Sequence, residues 1–250
     1  MSEQAIKKVL ITGAAGYVGG LLRSHWGDRY SLRLADRRPV EELAGHEEFV
    51  DVDITKYEQM LEVCRGMDVV VHLAADRSPA AKFYETLLEL NIIGGYNGFE
   101  AAREAGCGRI VFASSINAVL GYENTTDVAW DAPVYPVNVY GASKCWGEAL
   151  GRVYSDQHDL SCISVRLGNP RFDQGGDWDP DEIHGNLSPR DCAQLFRCCV
   201  DADDVDFAIV NGVSNHRRSS LDLEVSRRIV GYEPEDGTAF PKADRSHLGS

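Results

Sequence analysis

The stretch "VLITGAAGYVGG", residues 9–20, joins an apolar run to a helical pattern through a turn that contains Gly13, Gly16 and Gly19. Glycines in such a turn let backbone N–H groups approach a pyrophosphate, whose charge is favoured at the positive end of the following helix. A glycine pattern of this kind is informative only where a strand precedes it and a helix follows it, as it does here. The stretch therefore predicts the first strand–helix turn of a nucleotide-binding sheet.

Short β-branched runs alternate with helical stretches along the rest of the chain. Near-continuous apolar runs such as "VVVHLA" are typical of strands covered on both faces, as in a parallel sheet. The helical pattern over residues 80–106 ends at a glycine, as a helix C-cap does. The alternation predicts an α/β fold with a doubly wound parallel sheet, the Rossmann fold. The predicted strands cover residues 8–12, 31–36, 48–53, 68–74, 109–115, 161–168 and 206–210.

Two long irregular connections, residues 116–138 and 168–189, interrupt this alternation. Both follow predicted strands at the edge where open α/β sheets bind ligands, and connections of this length are usually functional. We therefore expect a nucleotide-binding core over residues 1–167, which includes the helix that begins near residue 139. A small C-terminal substrate-binding subdomain, residues 168–250, is expected to be interleaved with that core.

Composition narrows the range of partners. The 250 residues carry a formal net charge of −14, which disfavours nucleic acid and anionic membrane surfaces as partners and leaves a small molecule. The seven cysteines and the D-x-D-x-D run at 177–181 lack metal-ligand spacing, so no metal is expected. Scattered cysteines in odd number indicate reduced thiols, and no apolar signal segment opens the sequence, so we expect a cytoplasmic protein.

The ends of the next strands supply candidate cofactor contacts. Asp36 follows the second strand, where a carboxylate accepts bonds from ribose hydroxyls and favours NAD; Arg37 and Arg38 beside it leave NADP open. Asp53 follows the third strand and is a candidate for the adenine or for a helix cap. Small residues follow the fourth strand, after His72, which we interpret as a core residue. The predicted cofactor-binding residues are Gly13, Gly16, Tyr17, Val18, Gly19, Asp36, Arg37, Asp53, Ile54, Leu73, Ala74 and Ala75.

The run "VYGASKCWGEALGRVY", residues 139–154, places Tyr140 and Lys144 four residues apart and so on one helix face. A lysine ammonium near a phenol favours the phenolate and lowers the pKa of the tyrosine. Such a tyrosine can take the proton of a substrate hydroxyl while hydride leaves the same carbon for a nicotinamide cofactor. The alternative is a helix whose Tyr and Lys merely face solvent.

Several motifs in this order resemble the extended short-chain dehydrogenase/reductase superfamily: "TGAAGYVG", "LAD", "DVDIT", "HLAA", "NIIGGYN", "FASS" and "YGASK". Within it, "RIVFASS", "YGASKCWGE" and "VRLGN" look most like the small NAD-dependent sugar dehydrogenases, which include uronate and archaeal-type glucose-6-phosphate dehydrogenases. The resemblance implies a catalytic set of Ser115, which lies 25 residues before Tyr140, with Tyr140 and Lys144. It also implies that Lys144 holds the cofactor and that Asn91 helps to place the active-site backbone or a water. A homodimer or higher homo-oligomer is possible on the same grounds.

Three functions are compatible with these motifs. The first is a dehydrogenase that oxidises a sugar or sugar-acid hydroxyl, the anomeric one, to a lactone with NAD as cofactor. The second is a nucleotide-sugar epimerase or dehydratase with tightly bound NAD, and the third is a non-catalytic NAD(P)-sensing regulator. Only 82 residues follow Gly168, which leaves little room for a nucleotide-sugar domain and favours the dehydrogenase.

The substrate stays open among a uronate, a neutral aldose and a sugar phosphate. Arg171 and Arg190 are candidates for gripping an anionic group, but neither aligns clearly with such a role, and the loop around them is acidic. Polar residues near the strand ends are candidates for bonding sugar hydroxyls, with ordinary loop capping as the alternative. The predicted substrate-binding residues are Ser78, Ser115, Asn117, Tyr140 and Asn169.

Overall fold

The computed structural model describes residues 6–122, 128–170, 185–215 and 221–237. In chain order, the elements are β1 (Lys8–Thr12), α1 (Tyr17–Trp26), β2 (Ser31–Asp36), β3 (Glu47–Asp51), α2 (Tyr57–Cys64), β4 (Val69–His72), a π-helical segment (Phe83–Ile93) that continues as α3 (Gly94–Glu104), β5 (Arg109–Ser115), α4 (Val139–His158), β6 (Ser161–Leu167), β7 (Asn169–Pro170), β8 (Asn186–Leu187), α5 (Pro189–Asp201), β9 (Phe207–Gly212) and α6 (Glu224–Val230).

Seven strands form one sheet in the order β3-β2-β1-β4-β5-β6-β9, and each neighbouring pair is parallel. The chain passes outward from β1 in one direction to β3, then returns to β4 on the other side of β1. This reversal makes a topological switch point between β1 and β4, where sheets of this kind bind ligands. The predicted doubly wound parallel sheet is confirmed.

Two apolar cores cover the two faces of the sheet. In β1, Val9 and Ile11 face the core that packs against α1, α5 and α6, whereas Leu10 faces the core under α2, α3 and α4. This alternation follows from the two-residue period of a strand. Because both faces are covered, β1 must be apolar at consecutive positions, which is why it reads as a continuous hydrophobic run.

The chain after residue 168 adds to the same sheet. β9 pairs with β6, and the short pair of β7 and β8 lies beside their ends. Helix α5 packs against α1, where the indole N–H of Trp26 donates to the carbonyl oxygen of Ala193 at 3.0 Å. The expected division at residue 167, with a substrate-binding subdomain interleaved with the core, stays a prediction. Every helix in the described ranges is too short or too polar to cross a bilayer.

The helix predicted over residues 80–106 begins at Phe83, and its first part has π-helical rather than α-helical geometry. Its end agrees with the prediction: α3 stops at Glu104, and Gly106 has a φ of +76°, which a glycine adopts without a steric penalty. The widened turn brings Asn91 inward, where its side chain is buried. Such segments often occur beside functional sites.

Candidate active site

The turn after β1 depends on its glycines. Gly13 has a φ of +73°, and a Cβ there would lie 2.8 Å from the backbone nitrogen of Ala74. A Cβ on Gly19 would lie 2.5 Å from the carbonyl oxygen of Ala14, so α1 begins in close contact with the turn. The glycines therefore let the turn pack closely against β4 and α1, and Gly13, Gly16 and Gly19 line a cavity at the positive end of α1, where a pyrophosphate is favoured.

A cavity of about 900 Å³ opens at the carboxyl ends of β1, β2, β4, β5 and β6. Both the glycine turn after β1 and the start of α4 line this cavity. Most of the residues predicted from sequence line this one cavity: Gly13, Gly16, Tyr17, Val18, Gly19, Asp36, Arg37, Ile54, Leu73, Ala74, Ala75, Ser115, Asn117, Tyr140, Lys144 and Asn169.

Three predicted residues, Asp53, Ser78 and Asn91, do not line the cavity, and each makes hydrogen bonds within the protein instead. The carboxylate of Asp53 accepts from the backbone N–H and the hydroxyl of Thr55, at 3.0 and 2.7 Å, two residues beyond the end of β3. Ser78 is exposed and its hydroxyl accepts from the N–H of Ala80 at 3.2 Å. Ser78 therefore has the loop-capping role that was the alternative in the sequence, whereas Asp53 bonds the turn before α2, whose N-cap residue is Lys56. Asn91 bonds the segment after β4 and helix α4.

Asn91 fastens the segment after β4 to α4. Its Oδ1 accepts from the backbone N–H of Asp76 at 2.8 Å, and its Nδ2 donates to the carbonyl oxygen of Asp76 and to the hydroxyl of Ser143. The side chain is buried and does not reach the cavity. Asn91 thus places backbone beside the site and makes no direct cofactor contact in this structure.

Asp36 ties the tip of β2 to the glycine turn. Its Oδ2 accepts from the backbone N–H of Ala15 at 3.0 Å, and its Oδ1 accepts from the backbone N–H of Arg38 at 2.9 Å. The guanidinium of Arg38 donates to the carbonyl oxygen of Ala15 at 3.0 Å. Each carboxylate oxygen retains a lone pair for a ribose hydroxyl. Arg37 is exposed and also lines the cavity.

Ser115, Tyr140 and Lys144 meet where β5 ends and α4 begins. Asn138 caps α4, since its Oδ1 accepts from the N–H of Gly141 at 2.7 Å, while its Nδ2 donates to Asn117 Oδ1 at 2.8 Å. Asn117 in turn donates to Ser115 Oγ through its backbone N–H and its Nδ2, at 3.2 and 3.1 Å. This chain of bonds holds the serine hydroxyl against the first turn of α4.

Burial dominates the electrostatics of the tyrosine–lysine pair. It lowers the pKa of Lys144 to about 8, and the ammonium donates to the carbonyl oxygen of Ala113 at 2.8 Å. Burial also raises the pKa of Tyr140, which a hydrogen bond with Ser115 partly opposes. The sequence predicted a lowered phenol pKa; the structure shows the opposite direction, because removing the phenolate from water outweighs the charges near it.

The chain from residue 9 to residue 171 matches the model of the NAD dependent epimerase/dehydratase family. This chain belongs to that family. The NAD-dependent glucose-6-phosphate dehydrogenase of Haloferax volcanii is 37% identical over 92% of this chain and 94% of its own length. The L-arabinose 1-dehydrogenase (NAD(P)(+)) of the same organism is 34% identical over 93% of this chain and 98% of its own length. The resemblance identified from the motifs is therefore confirmed.

Solved structures of the NAD dependent epimerase/dehydratase family include a mutant uronate dehydrogenase of Agrobacterium tumefaciens complexed with NAD. It superimposes with a TM-score of 0.84 at 32% identity and covers 93% of this chain and 86% of its own. Relatives named UDP-glucose 4-epimerase match at lower identity and over a shorter part of this chain. The similar proteins are thus mainly named as NAD-dependent dehydrogenases of sugars and sugar acids, as predicted.

A buried ion pair behind the site was not predicted from the sequence. Arg166 on β6 donates to both carboxylate oxygens of Glu148 on α4, each at 2.9 Å, and Ser114 Oγ donates to the same carboxylate at 2.6 Å. Ser114 therefore links β5 to α4. Because Glu148 lies one helical turn beyond Lys144, the pair fixes the catalytic helix against the sheet.

The remaining residues singled out in the sequence are His72 and the two candidates for binding an anionic group, Arg171 and Arg190. His72 is buried with its Nδ1 3.0 Å from Thr12 Oγ1, and burial lowers its pKa to about 3, so it is a neutral core residue. Arg190 is paired with Asp236 and Glu235. Arg171 and the acidic run at 177–182 lie outside the described residues. Within the described residues, no group of His, Cys, Asp or Glu is arranged to hold a metal ion.

Proposed function

We propose that this chain is an NAD-dependent dehydrogenase that oxidises the anomeric hydroxyl of a sugar or sugar acid to a lactone. The observation that carries the proposal is the single cavity that joins the glycine turn to Ser115, Tyr140 and Lys144. The relatives named as NAD-dependent sugar dehydrogenases, which match nine tenths of this chain or more, support the same chemistry.

The residues that are present fit NAD. Gly13 lets the turn pack closely against the backbone of Ala74, and Gly13, Gly16 and Gly19 line the cavity at the start of α1, where a helix N-terminus favours a pyrophosphate. Asp36 would accept bonds from ribose hydroxyls, and Lys144 retains donors beyond the one that it gives to Ala113. When bound, NAD supplies the acceptor for the hydride.

The chain's own residues would handle the proton. Ser115 holds the substrate oxygen beside Tyr140, and Asn117 orients the serine hydroxyl through its two donors. Tyr140 takes the hydroxyl proton as the hydride leaves the same carbon, so that the carbon–oxygen single bond becomes the carbonyl of the lactone. The products are a lactone, NADH and a proton that Tyr140 releases.

The test follows NADH formation with aldoses, uronates and sugar phosphates. We expect turnover on at least one sugar by the wild type, and a loss of at least about a hundredfold in Tyr140→Phe, as removal of a general base causes. NAD binding by titration calorimetry should be nearly unchanged in this variant. Unchanged turnover in Tyr140→Phe would refute the mechanism. Tight NAD that survives purification, without NADH formation on any sugar, would instead support the epimerase.

We further propose a cytoplasmic homo-oligomer. All seven cysteines are free thiols, which supports a reducing compartment. Exposed apolar side chains on α3 and α4, such as Tyr96, Val139 and Val153, support an interface between copies. Cell fractionation tests the compartment, and light scattering tests the assembly; a secreted or strictly monomeric protein would contradict the respective proposal.

A further inference from the structure

Arg77 lies in the segment that follows β4 and lines the cavity. The preceding residue, Asp76, is held firmly: its backbone bonds the side chain of Asn91, its Oδ1 accepts from the N–H of Ser78, and its Oδ2 accepts from the hydroxyl of Thr86. The position of Arg77 is therefore set by bonds on either side of it, while its own side chain is exposed to the cavity.

The guanidinium of Arg77 is an available cation. Among the contacts that involve described residues, Arg77 makes no ion pair or hydrogen bond, whereas Arg190 and Arg166 are both paired with carboxylates. The neighbouring Asp76 also lines the cavity, but its carboxylate accepts bonds from Ser78 and Thr86 and forms no ion pair with Arg77. An unpaired arginine that lines a cavity of a chain with a net charge of −14 is suited to an anionic ligand.

Arg77 and Tyr140 line the same cavity, and the segment that carries Arg77 is fastened to the helix that carries Tyr140. Asn91 bonds the backbone of Asp76 and also the hydroxyl of Ser143, three residues beyond Tyr140. The charges of Asp76 and Arg77 both influence the pKa of Tyr140, the carboxylate raising it and the guanidinium lowering it. The pyrophosphate end, by contrast, is formed by the glycine turn, and Arg37 and Arg38 lie beside Asp36 at the ribose end. An anion that Arg77 contacts would therefore belong to the molecule held at Tyr140.

We propose that Arg77 binds the carboxylate or phosphate of the sugar substrate, so that this enzyme acts on an anionic sugar in preference to its neutral counterpart. The inference rests on the proposed dehydrogenase function and names the substrate class of that site. The planar guanidinium donates two parallel bonds to either anion. The part of the cofactor expected beside Tyr140 carries neither a carboxylate nor a phosphate.

Matched sugars and variants test the proposal. NADH formation is measured for the wild type, Arg77→Ala and Arg77→Lys with glucuronate, galacturonate and glucose 6-phosphate, and with the neutral sugars glucose and galactose. We expect the wild type to prefer an anionic sugar, and Arg77→Ala to lower its kcat/KM by roughly tenfold to a hundredfold, mainly through KM, as loss of a charge-assisted bond does. Neutral sugars and the KM for NAD should be little affected. Arg77→Lys should retain part of the preference.

Arg228→Ala is the matched control, because Arg228 is exposed on α6 and does not line the cavity. It should not change the preference. An equal loss on neutral and anionic sugars in Arg77→Ala, a change confined to the KM for NAD, or a wild type that prefers neutral sugars would overturn the proposal. The response to the uronates and to glucose 6-phosphate distinguishes a carboxylate from a phosphate.

If the wild type oxidises none of these sugars, the proposed function fails, and the anion proposal is decided by binding. Thermal unfolding is then followed in the presence of NADH with glucuronate or glucose 6-phosphate. A rise in Tm for the wild type that is absent in Arg77→Ala supports the anion site. No rise in the wild type, or an equal rise in the variant, overturns it.

Discussion

Replacing Glu148 with glutamine would leave the guanidinium of Arg166 buried without its carboxylate partner. The two side chains are 3% and 1% exposed, and two bonds of 2.9 Å join them. Removing one member of a buried pair costs about 3–5 kcal/mol, because the remaining charge stays out of water. That is a large part of the ~5–15 kcal/mol that stabilises a typical domain. Glu148→Gln should therefore lower the unfolding free energy by about 3 kcal/mol or more.

Urea unfolding followed by circular dichroism measures the change. Glu62→Gln is the matched control, because Glu62 pairs with Arg65 at 2.9 Å on the surface, where both side chains are mostly exposed. A pair of that kind is worth only about 0–1 kcal/mol. The double variant Glu148→Leu with Arg166→Met removes both charges, and we expect it to regain most of the loss, since apolar replacements of buried pairs are often neutral or better.

Two results would refute the reasoning. A Glu148→Gln variant within about 1 kcal/mol of the wild type would show that Arg166 finds water or another partner at little cost. A double variant as unstable as Glu148→Gln would show that packing, rather than an unpaired charge, sets the penalty. Because Ser114 and Lys144 adjoin the pair, Glu148→Gln should also lower kcat more than it changes the KM for NAD.

Two further predictions concern the cofactor end and the buried lysine. Asp36→Ala removes the carboxylate that would accept bonds from the ribose hydroxyls of NAD and repel the 2′-phosphate of NADP, so the ratio of kcat/KM for NAD to that for NADP should fall by about tenfold or more. A variant that still rejects NADP would contradict this role. Burial lowers the pKa of Lys144 from 10.5 to about 8, so between these pH values the unfolded chain binds a proton that the folded chain does not, and stability rises with pH. The difference in unfolding free energy, Lys144→Met minus wild type, should therefore decrease by on the order of 3 kcal/mol from pH 8 to pH 10.5 when no NAD is added. A difference that does not change with pH would contradict the buried charge.

The sheet and the glycine turn could be predicted because their causes are local in sequence. A strand covered on both faces must be apolar at consecutive positions, as in β1 and β4, and a close turn before a helix must contain glycine, as at Gly13 and Gly19. The spacing of Tyr140 and Lys144 is likewise fixed by one helix. These features can be predicted without knowing which secondary-structure elements pack against each other.

The contacts between distant elements could not be predicted in this way. Arg166 and Glu148 lie on different elements, and β-strand and helix periodicity say only that both positions face inward. The sequence placed Asp53 and Ser78 near strand ends, but whether such a side chain reaches the cavity or bonds its own turn depends on small differences in backbone direction. Arg77 was missed because an arginine after a strand has no local signature, and only the structure shows that it lines the cavity and makes no ion pair among the described residues.

The shift in the pKa of Tyr140 depends both on its sequence spacing from Lys144 and on the packing of elements that are distant in sequence. Its spacing from Lys144 predicts that charge favours the phenolate, but the same packing that brings the two residues together removes both from water. Burial therefore raises the pKa of Tyr140 and lowers that of Lys144, so the charged form of each is disfavoured. Burial alone therefore disfavours the ionisation of Tyr140. Within the described residues, the hydrogen bond with Ser115 opposes this effect, while the nearby charges of Asp76 and Arg77 act in opposite directions, so Ser115 is the group that favours the phenolate most.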